Sequence, residues 1–144
     1  MSDLHPTNPG LRPARILLLL GLAGGPAGLA AQTETDPVLA SRAAAQAAQE
    51  AYARHDLAGF LARSREAARL RPDHGGVLYA LASACALGAD TAGALDALER
   101  FAELGYAADV AADSDLTSLR ALPRFAAVRH RLAGNATPLI RADS

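Results

Sequence analysis

Apolar side chains recur at steps of three and four residues through the middle of the chain, the spacing expected of amphipathic helices. The pattern predicts long helices over residues 37–55, 57–70, 76–87 and 91–104. Their packing faces are formed by Leu57, Phe60, Leu61, Ser64, Ala67, Ala68, Val77, Leu78, Leu81, Cys85, Leu95, Leu98 and Ala102. We therefore expect an all-α fold.

Polar and helix-breaking residues mark where these helices begin and end. Asp56 and Asp90 stand at helix starts, where a carboxylate accepts hydrogen bonds from unpaired backbone N–H groups. Pro72 ends a helix because it has no N–H to donate, and residues 73–76 are of the types that favour a turn. The stretch around His74 is thus predicted to be an exposed joint that offers few partners.

Beyond Tyr106 the pattern weakens, but it still predicts a short helix over 115–121, a break at 122–123 and a helix over 125–132. The apolar positions of this last part are Leu116, Leu119, Leu122, Phe125, Val128 and Leu132. Because a stack of repeated units exposes an apolar face at its end, we expect these residues to cover that face.

The helical part of the chain repeats with a shift of 34 residues. This shift superposes Asp56 on Asp90, Ala58 on Ala92, Gly59 on Gly93, Leu61 on Leu95 and Leu70 on Leu104. The matches keep their order across a loop and a helix, so each unit is predicted to be a pair of helices.

Two-helix units of this length resemble tetratricopeptide repeats. The second unit carries the likeness best, since its residues match the family's packing positions at Leu78, Leu81, Ala82, Cys85, Ala94, Leu98 and Phe101, with Gly88 near the turn. The first unit has small or polar residues at Ala44, Ala47 and Ser64, although Pro72 falls where the family closes a repeat. The resemblance implies a short right-handed stack of two helical hairpins followed by a degenerate capping unit.

The resemblance also implies a binding groove, lined by the outward side chains of each unit's first helix. The matching residues are Arg42, Gln49, Tyr52, Tyr79 and Ser83. Tyrosine and arginine are enriched in binding hot spots because they combine a large contact area with a polar group. An extended peptide or a neighbouring domain is the expected partner. The alternative is that Tyr52 and Tyr79 only pack between adjacent hairpins.

The N-terminus has the pattern of a secretory signal peptide. Arg12 and Arg15 precede an apolar run over 16–24, and small residues follow up to a predicted cleavage after Ala30 or Ala31. The alternative is an uncleaved membrane anchor, although residues 16–31 fall short of the roughly 20 that a bilayer needs. We expect a signal peptide over 1–31, a helical repeat domain over 32–134, a flexible tail over 135–144, and a periplasmic or secreted protein.

Composition argues against nucleic-acid binding and against an internal disulfide. With 14 basic and 15 acidic residues the net charge is −1, which gives no basic excess for a nucleic-acid backbone. Cys85 is the only cysteine, so it can form no internal disulfide, and its position predicts a buried structural thiol.

No catalytic motif is present, and the four histidines are scattered, so we expect neither catalysis, a metal nor a cofactor. Asp109, Asp113 and Asp115 alternate as in a calcium loop, but the required glycine and glutamate are missing. A helix-capping role for Asp113 or Asp115 is the simpler interpretation.

These observations predict a non-catalytic exported module that binds a protein or peptide partner. The alternative rests on the ending DLTSLRALPRF, which resembles the ends of repeat modules in exported bacterial proteins that continue into a gluconolactonase-like β-propeller. In that case the chain is an accessory N-terminal domain of a truncated enzyme.

Overall fold

The computed structural model describes residues 36–137, and all regular structure within that range is helical. The elements are α1 (Pro37–Ala53), α2 (Leu57–Leu70), α3 (Gly75–Leu87), α4 (Thr91–Glu103), a 3₁₀ helix (Ser114–Leu119) and α5 (Pro123–Asn135). The predicted all-α class is confirmed. The predicted signal peptide over 1–31 lies outside the described residues, as do residues 138–144 of the predicted tail.

The predicted helices agree closely with the observed ones. The largest difference is at α5, which begins at Pro123 and extends to Asn135, beyond the predicted range of 125–132. None of the helices described is long and apolar enough to cross a membrane. Consecutive helices pack on one another: α1 on α2, α2 on α3, and α3 on α4. The 3₁₀ helix then lies on α3, and α5 lies on α4.

The turns inside the two helix pairs follow the same backbone path, 34 residues apart. His55 and Ala89 both adopt the left-handed conformation, with φ of 58° and 59°. The next residue in each turn donates its N–H to the carbonyl five positions earlier, over 2.9 Å for Asp56 and 2.8 Å for Asp90. The sequence shift of 34 residues is therefore also a repeat of backbone structure.

Each turn is closed by an aspartate that caps the second helix of its pair. The Asp56 carboxylate accepts the N–H of Gly59 over 2.8 Å, and the Asp90 carboxylate accepts that of Gly93 over 3.0 Å. This contact lowers the pKa of Asp90 below its usual range, with the Arg65 guanidinium adding to the effect. A Cβ on Gly93 would lie 2.5 Å from the Asp90 carboxylate, so the glycine makes room for the cap.

Small residues hold the first helix pair together. Ser41, Ala44, Ala48 and Ala51 of α1 are buried against α2. The Ser41 hydroxyl donates to the Ala67 carbonyl over 3.0 Å, which links the two helices directly. Because alanine buries little area, this pair contributes less hydrophobic stabilisation than the helices that follow.

The larger core lies among α3, α4, the 3₁₀ helix and α5. It contains the large, fully buried side chains of Leu98, Leu116, Leu119, Phe125 and Leu132. The prediction that the last apolar residues cover the end of the preceding helices is confirmed, with Leu122 only partly buried.

One packing assignment was wrong. Leu57, predicted on a packing face, is 41% exposed, because it is the first residue of α2 and lies beside the turn. Leu81 is half-buried and packs against the larger core, as predicted.

The joint between the helix pairs also differs from the prediction. His74 is half-buried, and its Nδ1 accepts the Val77 N–H over 3.3 Å as the N-cap of α3. The prediction that His74 is exposed and poor in partners was therefore wrong. The cause is the helix start, whose unpaired N–H groups require an acceptor at this position.

Aromatic and amide side chains fasten the last turn of α4. Tyr106 stacks on Phe101 with ring centroids 5.0 Å apart. The Asn135 side-chain amide, at the end of α5, donates to the carbonyls of Ala102 and Tyr106, each over 2.8 Å. The last helix is thereby tied to α4 through backbone carbonyls as well as through the core.

Replacing Gly93 tests the capped turn. Alanine inside a helix is usually more stable than glycine by about 0.5–1 kcal/mol, but at position 93 the new Cβ would displace the Asp90 cap. We expect the Gly93→Ala variant to be less stable than Gly134→Ala by about 1–2 kcal/mol, measured by urea unfolding.

Gly134 is the matched control, because it lies in α5 with nothing within 4 Å of an added Cβ. Equal gains in stability for the two variants would show that the cap does not constrain residue 93.

Candidate partner-binding site

A pocket of about 180 Å³ opens where the first helices of the two pairs approach the 3₁₀ helix. It is lined by Gln49, Tyr52, Phe60, Tyr79, Ala80, Ser83, Asp113 and Asp115, and we call it the tyrosine pocket. Its walls thus come from α1, α2, α3 and the start of the 3₁₀ helix, at residues 113 and 115.

Four of the five predicted partner-binding residues line this pocket: Gln49, Tyr52, Tyr79 and Ser83. Arg42 does not. It is exposed on α1, and it lies seven residues before Gln49, or roughly 10 Å along the helix axis. The structure therefore brings most of the predicted set together and leaves the arginine outside.

The tyrosine rings are held by phenylalanines of their own helix pairs. Tyr52 packs on Phe60 with ring centroids 5.0 Å apart, and Tyr79 meets Phe101 edge-on at 5.7 Å. Tyr52 nevertheless remains 43% exposed. Packing and access to the pocket are thus combined in the same side chains.

Both tyrosine hydroxyls donate to aspartates at the 3₁₀ helix. Tyr79 bonds to Asp113 over 2.6 Å, and Tyr52 bonds to Asp115 over 3.1 Å. The bond to Asp115 is the main cause that raises the pKa of Tyr52. Burial is the main cause that raises the pKa of Tyr79, followed by its bond to Asp113. Both phenols therefore stay protonated and act as donors at neutral pH.

Asp113 and Asp115 were not among the predicted binding residues. The predicted capping role of Asp113 is confirmed, since its carboxylate accepts the Asp115 N–H over 2.9 Å. Its second oxygen is the one that holds Tyr79. One signal was available in the sequence: Asp113 follows Tyr79 by 34 residues, the length of the repeat.

The pocket carries negative charge that the described part of the chain does not neutralise. Neither Asp113 nor Asp115 forms an ion pair with residues 36–137. Arg120 is near, but it donates to the backbone carbonyl of Asp113 over 3.2 Å rather than to its carboxylate. Hydroxyl, amide, carboxylate and aromatic groups thus face one small opening.

Within residues 36–137, no three histidine, cysteine, aspartate or glutamate side chains are grouped so that they could hold a metal ion. Asp109 points its carboxylate at the Ala111 N–H, over 3.2 Å, and does not line the tyrosine pocket.

A second cleft, of about 400 Å³, lies between α2, α3 and α4. Leu78, Leu81 and Cys85 are among its lining residues, and the ion pair of Arg65 with Asp90, 2.8 Å long, lies at its edge. The buried position predicted for Cys85 is confirmed, with 2% of the residue exposed. Burial, with the Asp90 charge nearby, raises the pKa of the thiol to about 11.

In comparison with known proteins, no protein-family model, curated protein or solved structure matches this chain.

Cys85 should be unreactive in the folded protein. A thiol reacts as its thiolate, and burial with a raised pKa makes the thiolate scarce near neutral pH. We expect an aromatic disulfide reagent to modify native protein far more slowly than it modifies glutathione at the same pH. In concentrated guanidinium chloride the single cysteine should react at once. Native labelling at the rate of glutathione would contradict the burial of this thiol.

Proposed function

We propose that this protein is a non-catalytic binding module that holds an extended peptide, or the tail of a partner protein, across the tyrosine pocket. One observation carries the proposal: Gln49, Tyr52, Tyr79 and Ser83, which resemblance places in a binding groove, line a single pocket. They lie on α1 and α3, the first helices of the two pairs.

The arrangement of the helices supports a stack of tetratricopeptide-like hairpins as the scaffold of this site. The turns repeat after 34 residues with nearly equal φ at His55 and Ala89. Each pair packs internally, α2 bridges to α3, and the 3₁₀ helix and α5 continue the order on α3 and α4. In such a stack the first helices share one surface, where a partner can contact several units together.

The residue types at the pocket suit recognition of a peptide. Tyr52 offers an exposed ring fixed against Phe60, and a fixed aromatic ring loses little conformational entropy when it binds. Ser83 and Gln49 add groups that can hydrogen-bond a peptide backbone or side chain. We place this activity in the periplasm or outside the cell, on the strength of the signal-peptide pattern over 1–31.

The proposal is tested with peptides selected from a random-sequence library against the purified chain. Calorimetry then measures the Kd of the selected peptides for the wild type and for Tyr52→Ala. Because Tyr52 is the exposed ring of the pocket, its loss should weaken binding about tenfold or more.

Gln46→Ala serves as the matched control, since Gln46 is exposed on α1 but does not line the pocket. It should change Kd by less than about twofold. Circular dichroism checks that both variants keep the helical fold. Failure to select any peptide, or equal Kd for the wild type and Tyr52→Ala, would contradict the proposed function.

A further inference from the structure

The tyrosine pocket contains two neighbouring carboxylates that pair with no arginine among residues 36–137. Several other carboxylates of the described surface do meet arginines: Asp73 pairs with Arg100 over 2.6 Å, and Arg124 holds both Asp96 and Glu99. At the pocket Asp113 and Asp115 lie together, and within residues 36–137 only neutral groups contact their carboxylates. Two close carboxylates without a cation attract a positive charge into the opening.

Ser83 provides an independent indication that a polar ligand group belongs in the pocket. The residue is 5% exposed and lines the pocket, yet its hydroxyl makes no hydrogen bond with any residue between 36 and 137. The Ser83 oxygen is not fully enclosed, unlike that of Ser64, so it opens to the pocket. A ligand atom can there take the place of water as its hydrogen-bond partner.

The size of the pocket and the residues that line it restrict the class of ligand group that fits. At about 180 Å³ it is smaller than the roughly 300–1,000 Å³ of sites for drug-sized molecules, but it can take the end of one side chain. Tyr52 and Phe60 present aromatic rings, whose faces attract cations. A planar guanidinium has five N–H groups that point in different directions, so it can donate hydrogen bonds to two carboxylates and a hydroxyl at once. The compact ammonium group of a lysine matches such a set of acceptors less well.

We propose that the tyrosine pocket binds the guanidinium group of an arginine in an extended peptide. Asp113 and Asp115 supply the negative charge, Ser83 accepts one further N–H, and the ring of Tyr52 covers the cation. This assignment rests on the proposed peptide-binding function and names the side chain that the site selects.

The test uses the full chain and two small probes. N-acetyl-arginine-N-methylamide carries the cation, and N-acetyl-citrulline-N-methylamide has nearly the same shape without the charge. Each probe is titrated into isotope-labelled protein and followed by NMR. The arginine probe should give saturable shifts at Tyr52, Tyr79, Ser83 and the 113–115 amides. The citrulline probe should bind about tenfold more weakly or worse, because it lacks the charge.

Variants then ask whether the two carboxylates are responsible. Asp113→Asn with Asp115→Asn removes both charges while keeping an oxygen for the cap and for Tyr52, and it should weaken the arginine probe about tenfold or more. Asp109→Asn is the matched control, because it removes one charge from the same segment outside the pocket. It should change binding by less than about twofold. If the double variant loses its fold, Asp115→Asn alone is used, since Asp115 caps no helix.

The outcomes separate this inference from the proposed function. Equal shifts with the two probes, shifts remote from the pocket, or unchanged affinity in the Asn variants would overturn the arginine assignment. If library peptides bind through Tyr52 but contain no arginine, peptide binding stands and this inference falls. If the arginine probe binds as expected while no peptide can be selected, the cation site stands and the proposed function falls.

Discussion

The fold depends on the conformation of two turns, each of which is closed by an aspartate that caps the next helix. In each turn one residue adopts a left-handed conformation, and the following aspartate caps the next helix through a glycine N–H. A non-glycine residue with positive φ costs of order 1 kcal/mol, which the cap and the backbone bond across the turn offset. Because the two turns are alike, α1 is joined to α2 in the same way as α3 is joined to α4.

Much of this architecture could be predicted from the sequence, because helical spacing and capping residues act locally. Asp56, Asp90 and Pro72 mark helix boundaries by the hydrogen bonds that they accept or cannot donate. The predictions were wrong at residues whose role depends on the structure around them rather than on their spacing in the sequence. Leu57 has the right spacing for a core position but opens its helix beside a turn, and His74 was assigned to a joint when its ring nitrogen caps α3.

The candidate site could be predicted only in part. The resemblance to tetratricopeptide repeats placed Tyr52 and Tyr79 on one surface. No local sequence pattern, however, reveals which distant segment contacts them. The partners of the tyrosines, Asp115 and Asp113, lie 63 and 34 residues further along the chain. Their carboxylates add negative charge to a surface whose aromatic rings alone attract a cation more weakly. The same contacts hold the 3₁₀ helix on α3, so the stability of the fold and the chemistry of the pocket depend on shared groups.

If the tyrosine–aspartate contacts assemble the pocket, a double-mutant cycle on Tyr79 and Asp113 should reveal their coupling. Tyr79→Phe removes the hydroxyl and keeps the ring, whereas Asp113→Ser keeps a cap and removes the oxygen that holds Tyr79. Urea unfolding of the wild type, both single variants and the double variant gives the coupling free energy between the two side chains. We expect a favourable coupling of about 1–2 kcal/mol, as for a hydrogen bond to a charged acceptor. Single effects that add to within about 0.3 kcal/mol would contradict it.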